Sequence, residues 1–212
     1  EVDPSAGPWA FETDTTLVRV LAANARAFPD RAALREKDLG VWQETSWAEA
    51  LESMLCFAAG LEGLGFRAED AMLVLGDNRP RLYLGMISAG ALGGYAMPVF
   101  PDATPDEIRH FTQEAQARFA LAEDQEQVDK LLDLRAHGAA IEHIVYDDPR
   151  GLANYPEPGL VSWERLVAQG AQRLDAAPGA RDELIRRALP DGPAVFVHSS
   201  GTTGKPKGVV LS

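Results

Sequence analysis

Val195-Phe196-Val197-His198-Ser199-Ser200-Gly201-Thr202-Thr203-Gly204-Lys205-Pro206-Lys207-Gly208-Val209-Val210-Leu211-Ser212 is an apolar run, a polar run and a second apolar run. Between the two apolar flanks lie three glycines, four hydroxyl side chains and two lysines beside a proline, and no carboxylate. Glycines let backbone N–H groups converge without a Cβ in the way. Convergent N–H groups make a concave nest for an anion. Hydroxyls add donors, and lysine adds a point charge suited to phosphate. The stretch reads as a phosphate-gripping loop slung between two strands, and a loop of that kind leaves the carboxyl end of a strand in an α/β protein.

The rest of the chain agrees with an anion-binding loop in an acidic protein. The 212 residues suffice for one large domain or two small ones, and 46% hydrophobic with 25% charged residues is a globular composition. The formal charge is −12, which argues against nucleic acid or an anionic membrane as the main partner. Residues 192–212 hold two lysines and no acid, so all 32 carboxylates lie upstream of the loop. The one cysteine, Cys56, cannot close an internal disulfide. That fits a reducing, cytoplasmic compartment, and the residue reads as a small buried hydrophobe. The longest apolar run, Gly85 to Phe100, is broken by glycines and a proline and falls short of the ~18 apolar residues of a membrane span.

Upstream, helix and strand signals alternate. Residues 1–15 read as an extended lead-in, and residues 16–212 as an α/β domain. Asp14 or Thr15 can cap a first helix carrying Leu17, Val20 and Leu21 at helical spacing. Ala32–Leu34 and Val41–Thr45 read as short strands around the turn cluster Lys37-Asp38-Leu39-Gly40. Ser46-Trp47-Ala48-Glu49 is a capping box, and Gly63 and Gly65 end the helix it starts. Ala71–Leu75 is a continuous apolar run, as expected of a strand covered on both faces. Asn78-Arg79-Pro80 leads into a helix over 81–92, whose Gly85, Ala89 and Gly90 predict close packing. A strand at Tyr95–Val99 follows, then a helix opened by Thr104-Pro105-Asp106-Glu107.

A strand at Phe119–Ala122, a helix at Gln125–Ala136 and a strand at Ile141–Tyr146 continue the alternation. Asp147–Gly159 reads as a loop, Ser162–Leu174 and Arg181–Leu189 as helices. Ala194–His198 and Val209–Leu211 bracket the glycine-rich segment. This alternation argues an α/β fold with a mostly parallel sheet and flanking helices. The pairs Asp147-Asp148 and Glu123-Asp124 read as solvated loop charges. Trp9, Trp42, Trp47 and Trp163 read as packing residues. His110, His137 and His143 lack metal-ligand spacing.

Spacing excludes two common phosphate loops. A Walker A loop starting at Gly201 needs glycine at 206, which is Pro206; one starting at Gly204 needs it at 209, which is Val209. A Walker loop also opens a helix, whereas Gly208–Leu211 is strand-like. The dinucleotide pattern G-x-G-x-x-G is absent. What Ser199-Ser200-Gly201-Thr202-Thr203-Gly204-Lys205-Pro206-Lys207-Gly208 resembles is the signature of the adenylate-forming (AMP-binding) enzymes, which include acyl-CoA synthetases, luciferase-like ligases and peptide-synthetase adenylation domains. The segment from Asn78-Arg79-Pro80 to Ala96-Met97-Pro98-Val99 is similar to one these enzymes carry upstream. Asp124-Gln125-Glu126-Gln127-Val128 and Tyr146-Asp147-Asp148-Pro149-Arg150 look most like bacterial long-chain fatty acyl-CoA synthetases.

The resemblance implies a two-step reaction. A carboxylic acid attacks the α-phosphate of Mg·ATP to give acyl-adenylate and pyrophosphate, and coenzyme A then takes the acyl group. It implies ATP-phosphate contacts from Ser199, Ser200, Gly201, Thr202, Thr203, Gly204, Lys207 and Gly208. Lys205 stands at a position the signature leaves variable. The substrate implied is a long-chain fatty acid; an aromatic- or amino-acid-adenylating enzyme, or a non-catalytic nucleotide- or partner-binding module of the same fold, are the alternatives. Nucleic acid and a membrane span are not expected, while peripheral membrane association and a homodimer stay open. The family's later motifs have no counterpart in these 212 residues. The expectation is therefore an incomplete amino-terminal domain, inactive alone and holding no catalytic or metal-binding residue of its own. His198 departs from the aromatic or threonine common at its position, and reads as a neutral histidine packed beside the loop.

Overall fold

A computed structural model describes residues 15–199 and 207–212. In chain order the elements are α1 (Leu17–Ala27), β1 (Ala32–Asp38), β2 (Val41–Ser46), α2 (Trp47–Gly63), β3 (Ala71–Leu75), α3 (Pro80–Ala91), β4 (Tyr95–Val99), α4 (Pro105–Ala115), β5 (Phe119–Ala122), α5 (Gln125–Ala136), β6 (His143–Tyr146), β7 (Leu160–Ser162), α6 (Trp163–Asp175), α7 (Ala180–Arg187), β8 (Val195–Ser199) and β9 (Lys207–Leu211). The α/β architecture with a mostly parallel sheet is as expected. Strands β7-β6-β5-β3-β4-β8-β9 form one sheet in that order, parallel throughout except for the final antiparallel pair. β1 and β2 stand apart as an antiparallel hairpin. Leu39 and Gly40 turn it with φ of 45° and 84°, the left-handed pair that matches the twist of a two-residue hairpin.

Alternation along the strands sorts the interior into two layers. Met72 and Val74 of β3 and Phe119 and Leu121 of β5 face a core built with α1, α2, α3, α6 and α7. Leu73 and Leu75 of β3 and Ala120 and Ala122 of β5 face a second core under α4 and α5. Every residue of β3 is buried, which is why its sequence shows no polar alternation. Close approach is built in where small residues meet. A Cβ at Gly170 of α6 would run into the carbonyl of Cys56, so α2 and α6 cross almost backbone to backbone. Gly85 of α3 likewise sits against Leu121, and Ala89 is fully buried, but Gly90 faces open space.

The local start signals act as read at two helices. Ser46 and Glu49 form the reciprocal cap of α2, and Thr104 and Glu107 that of α4, with Pro105 at its first position. Each such cap contributes about 1 kcal/mol. Three expectations need correction. Thr16, rather than Asp14 or Thr15, caps α1, its hydroxyl accepting from the Arg19 N–H. The strand β7 was not expected; it is three residues long and merges into the Ser162 cap of α6. Trp42 is not a packing residue, being 64% exposed on the hairpin, whereas Trp163 is buried and stacked on Phe57 at 4.1 Å. Trp9 lies outside the described residues.

Candidate functional site

The strand order sets the site. From β3 the chain crosses through α3 to β4 on one side, then returns through α4 to β5 on the other. α3 and α4 therefore cover opposite faces, and the loops leaving β3 and β4 diverge. A crevice opens at such a switch point, outside the carboxyl ends of the strands. Here it is a cavity of about 560 Å3, bounded by Gly76–Asn78 after β3, Pro98–Ala103 around the end of β4, Tyr83 and Met86 of α3, Phe111 of α4, and Val197 and His198 of β8. Its walls are largely apolar, with Asp77, Asn78, Tyr83, Asp102, Glu107 and His198 bringing polar groups. The glycine-rich segment leaves β8 at this cavity.

Ser199 and Lys207 pair across β8 and β9 as the two ends of that segment. Ser200, Gly201, Thr202, Thr203, Gly204 and Lys205 lie outside the described residues. Gly208 has a structural reason for lacking a side chain. A Cβ there would enter the ring of Phe196, which lies diagonally across the two strands. Phe196 in turn packs near Tyr95 and sets its ring edge-on to His198, with centroids 5.0 Å apart at 81°.

His198 is held more firmly than the sequence implied. Its ring stacks on Phe111 at 3.7 Å and 25°. Its Nε2 lies 3.1 Å from Glu114 Oε2, and its side chain is only 7% exposed. An ionised carboxylate only accepts, so the Nε2–H tautomer of His198 is the one that can donate to Glu114. Nδ1 is buried with no hydrogen-bond partner among the described residues. Burial first, and the charge of Glu114 second, hold the nearby Tyr95 phenol above its ordinary value.

A layer of ion pairs covers the neighbouring strand ends, and it overturns the reading of two acidic pairs as solvated. Glu123 accepts from Arg79 Nε at 2.6 Å and from the Asp77 N–H at 2.6 Å. Asp124 caps α5 through the Gln127 N–H. Asp147 accepts from Arg81 at 2.9 Å, and burial pushes its carboxyl above the ordinary value despite that partner. Asp148 is held low by Arg150. Glu123, Asp147 and Asp148 are paired with arginines and Asp124 with a backbone N–H, so they do not offer the free oxygen set magnesium requires. Among the described residues no group of three or more His, Cys, Asp or Glu side chains could hold a metal ion, and no helix is long and apolar enough to cross a membrane.

Cys56 is buried as expected, its thiol pushed up to about 12 by burial and then by Glu52, to which it donates. Sequence reasoning missed Phe111 and Glu114. They sit three residues apart on α4, a spacing that puts them on one face, but nothing local marks His198 as their partner 84 residues downstream.

The profile of the AMP-binding enzyme family matches residues 21–212. The chain is 24% identical over 198 residues to the long-chain-fatty-acid–CoA ligase ACSBG2 of Xenopus laevis, covering 93% of this chain and 26% of that protein. It is 28% identical over 167 residues to 4-coumarate–CoA ligase 4 of Arabidopsis thaliana, covering 79% and 28% respectively. The chain thus spans about a quarter of the length of these relatives. Among solved structures, an anthranilate CoA ligase in complex with anthranoyl-AMP superposes with a TM-score of 0.75 at 20% identity, over 94% of this chain and 35% of that one. At that identity the likeness speaks for the fold. Strand order, glycine-rich segment and family profile agree: the chain belongs to the AMP-binding enzyme family.

Proposed function

We propose that this chain forms the amino-terminal part of an ATP-dependent acid–thiol ligase. In this reading the whole enzyme activates a long-chain fatty acid as its acyl-adenylate and passes it to coenzyme A. The observation that carries the reading is the carboxylate-free run 199–208, rooted in paired strands at the mouth of a switch-point cavity. Ser199, Ser200, Thr202 and Thr203 would supply hydroxyl and backbone donors to the β- and γ-phosphates, with Gly201, Gly204 and Gly208 allowing close approach. Lys207, and Lys205 beside it, would offset the charge that grows on the leaving pyrophosphate. Donors aimed at developing charge are the largest single contribution available to a site of this kind. Magnesium would travel with ATP and take its protein ligands from outside the described residues. The setting is cytoplasmic fatty-acid metabolism, and a peripheral membrane contact or a second copy of the chain is compatible with it.

The fatty-acid reading is supported by the ligase relatives. A second reading, an aromatic acid as substrate, is favoured by the likeness to 4-coumarate–CoA ligase. ATP–pyrophosphate exchange by the complete chain, run against long fatty acids, benzoates, cinnamates and amino acids, separates the two. Exchange dependent on long fatty acids is expected; no exchange with any acid would sink the ligase reading. Residues 1–212 alone should show no exchange.

A further inference from the structure

We propose that Glu114 and Phe111 of α4 are positioning residues that set the base of the glycine-rich loop through His198. The proposal rests on the reading of that loop as a phosphate grip. The root of the loop is weakly held by the sheet. Among the described residues β8 is hydrogen-bonded to β4 at the pair Ala96–Val195, and β9 pairs with β8. The hairpin needs a second anchor if the groups beyond it are to stay in place.

The α4 side chains supply that anchor. Phe111 lies flat on the His198 ring and Glu114 accepts a hydrogen bond from its Nε2–H, while Phe196 closes the edge. Three contacts fix one ring immediately before the hydroxyl run. Its Nδ1 is buried with no hydrogen-bond partner among the described residues. α4 lines the same cavity, through Glu107 and Phe111. A shift of α4 on filling the cavity would therefore reach the loop through one histidine. The same carboxylate oxygen also lies 3.9 Å from Nε2 of His110, which is more exposed.

The test uses the complete chain and two readouts. Glu114→Ala should lower kcat for ATP–pyrophosphate exchange about tenfold, the worth of one charge-assisted hydrogen bond. KM for the carboxylic acid should not change. Glu114→Gln, which keeps an acceptor for Nε2–H, should stay within about twofold of the parent, and so should His110→Gln. Amide hydrogen exchange at Val197 and His198 should quicken in Glu114→Ala and not in Glu114→Gln. Glu114 is at the surface end of α4, so both variants fold. Parent-like kcat and parent-like amide exchange in Glu114→Ala would overturn the proposal. If the parent itself shows no pyrophosphate exchange, the ligase reading fails, and the amide exchange decides the anchor by itself.

Discussion

Strands β3 and β9 are written in the same alphabet and live in different surroundings. Ala71-Met72-Leu73-Val74-Leu75 is buried at every position, with helices over both faces. Val209, Val210 and Leu211 are 42%, 57% and 50% exposed at the outer edge of the sheet. One strand is the middle of the structure. The other holds the far end of the loop that defines the family. The difference teaches that an apolar run reports a strand's propensity, while its energetic weight depends on what covers it.

The largest way to sharpen this contrast is at Lys207, the first residue of β9. Lys207→Ala in the complete chain should reduce acyl-adenylate formation by about 10²–10³-fold, as removal of one donor to developing charge does elsewhere. Its unfolding midpoint should not move. Pyrophosphate exchange and thermal melting check the two halves, and unchanged exchange would detach the loop from the chemistry. Next comes Leu73→Ala in β3. Full burial on the α4–α5 side puts its cost at about 2–5 kcal/mol in denaturant titrations.

In the 212-residue chain Val210→Ala is the matching change in β9 and should cost less than about 1 kcal/mol, because its side chain is 57% exposed there. A cost equal to that of Leu73→Ala would break the comparison and show β9 covered in solution. A smaller effect concerns acid. Hydrogen bonds from the Ser46 N–H and then its hydroxyl hold the Glu49 carboxyl below 4.5, the value of a free glutamate. A lowered folded value means that the cap's contribution is complete above the unfolded value and is lost as pH falls through the folded one. Glu49→Gln should therefore flatten stability against pH below about 4.5 by lowering neutral stability toward the acid value, as read by urea midpoints at several pH values. Least of all should happen at Cys56. With its thiol buried and pushed up to about 12, iodoacetamide should label it only after unfolding.

What could be read from residues alone was what is local. Phe119–Ala122 and Gln125–Ala136 have the expected bounds because a short apolar run and an Asp124 cap mark them within a few positions. Ser46 with Glu49 and Thr104 with Glu107 likewise close within one turn. What escaped was set across the fold. Glu123 meets Arg79 and Asp147 meets Arg81 from 44 and 66 residues away, so their acids looked solvated. Leu160–Ser162 is too short to show a period, and only its neighbour β6 makes it a strand. For the site, the hydroxyl, glycine and lysine run was legible as chemistry. Its surroundings were not: the crevice follows from strand order, and the Phe111–Glu114 grip on His198 joins separate elements.

The position of β8 in the sheet also sets a schedule. Strands β3 to β7 can pair from chain already made, whereas the Ala96–Val195 pairing closes a span of roughly a hundred residues. Synthesis runs from the amino end, so β4 must wait with one edge open until β8 emerges. Within these residues the hairpin then arrives after β3 to β7 have had the chain they need to pair. A chaperone or a premature partner strand would find its opening along β4 during that interval.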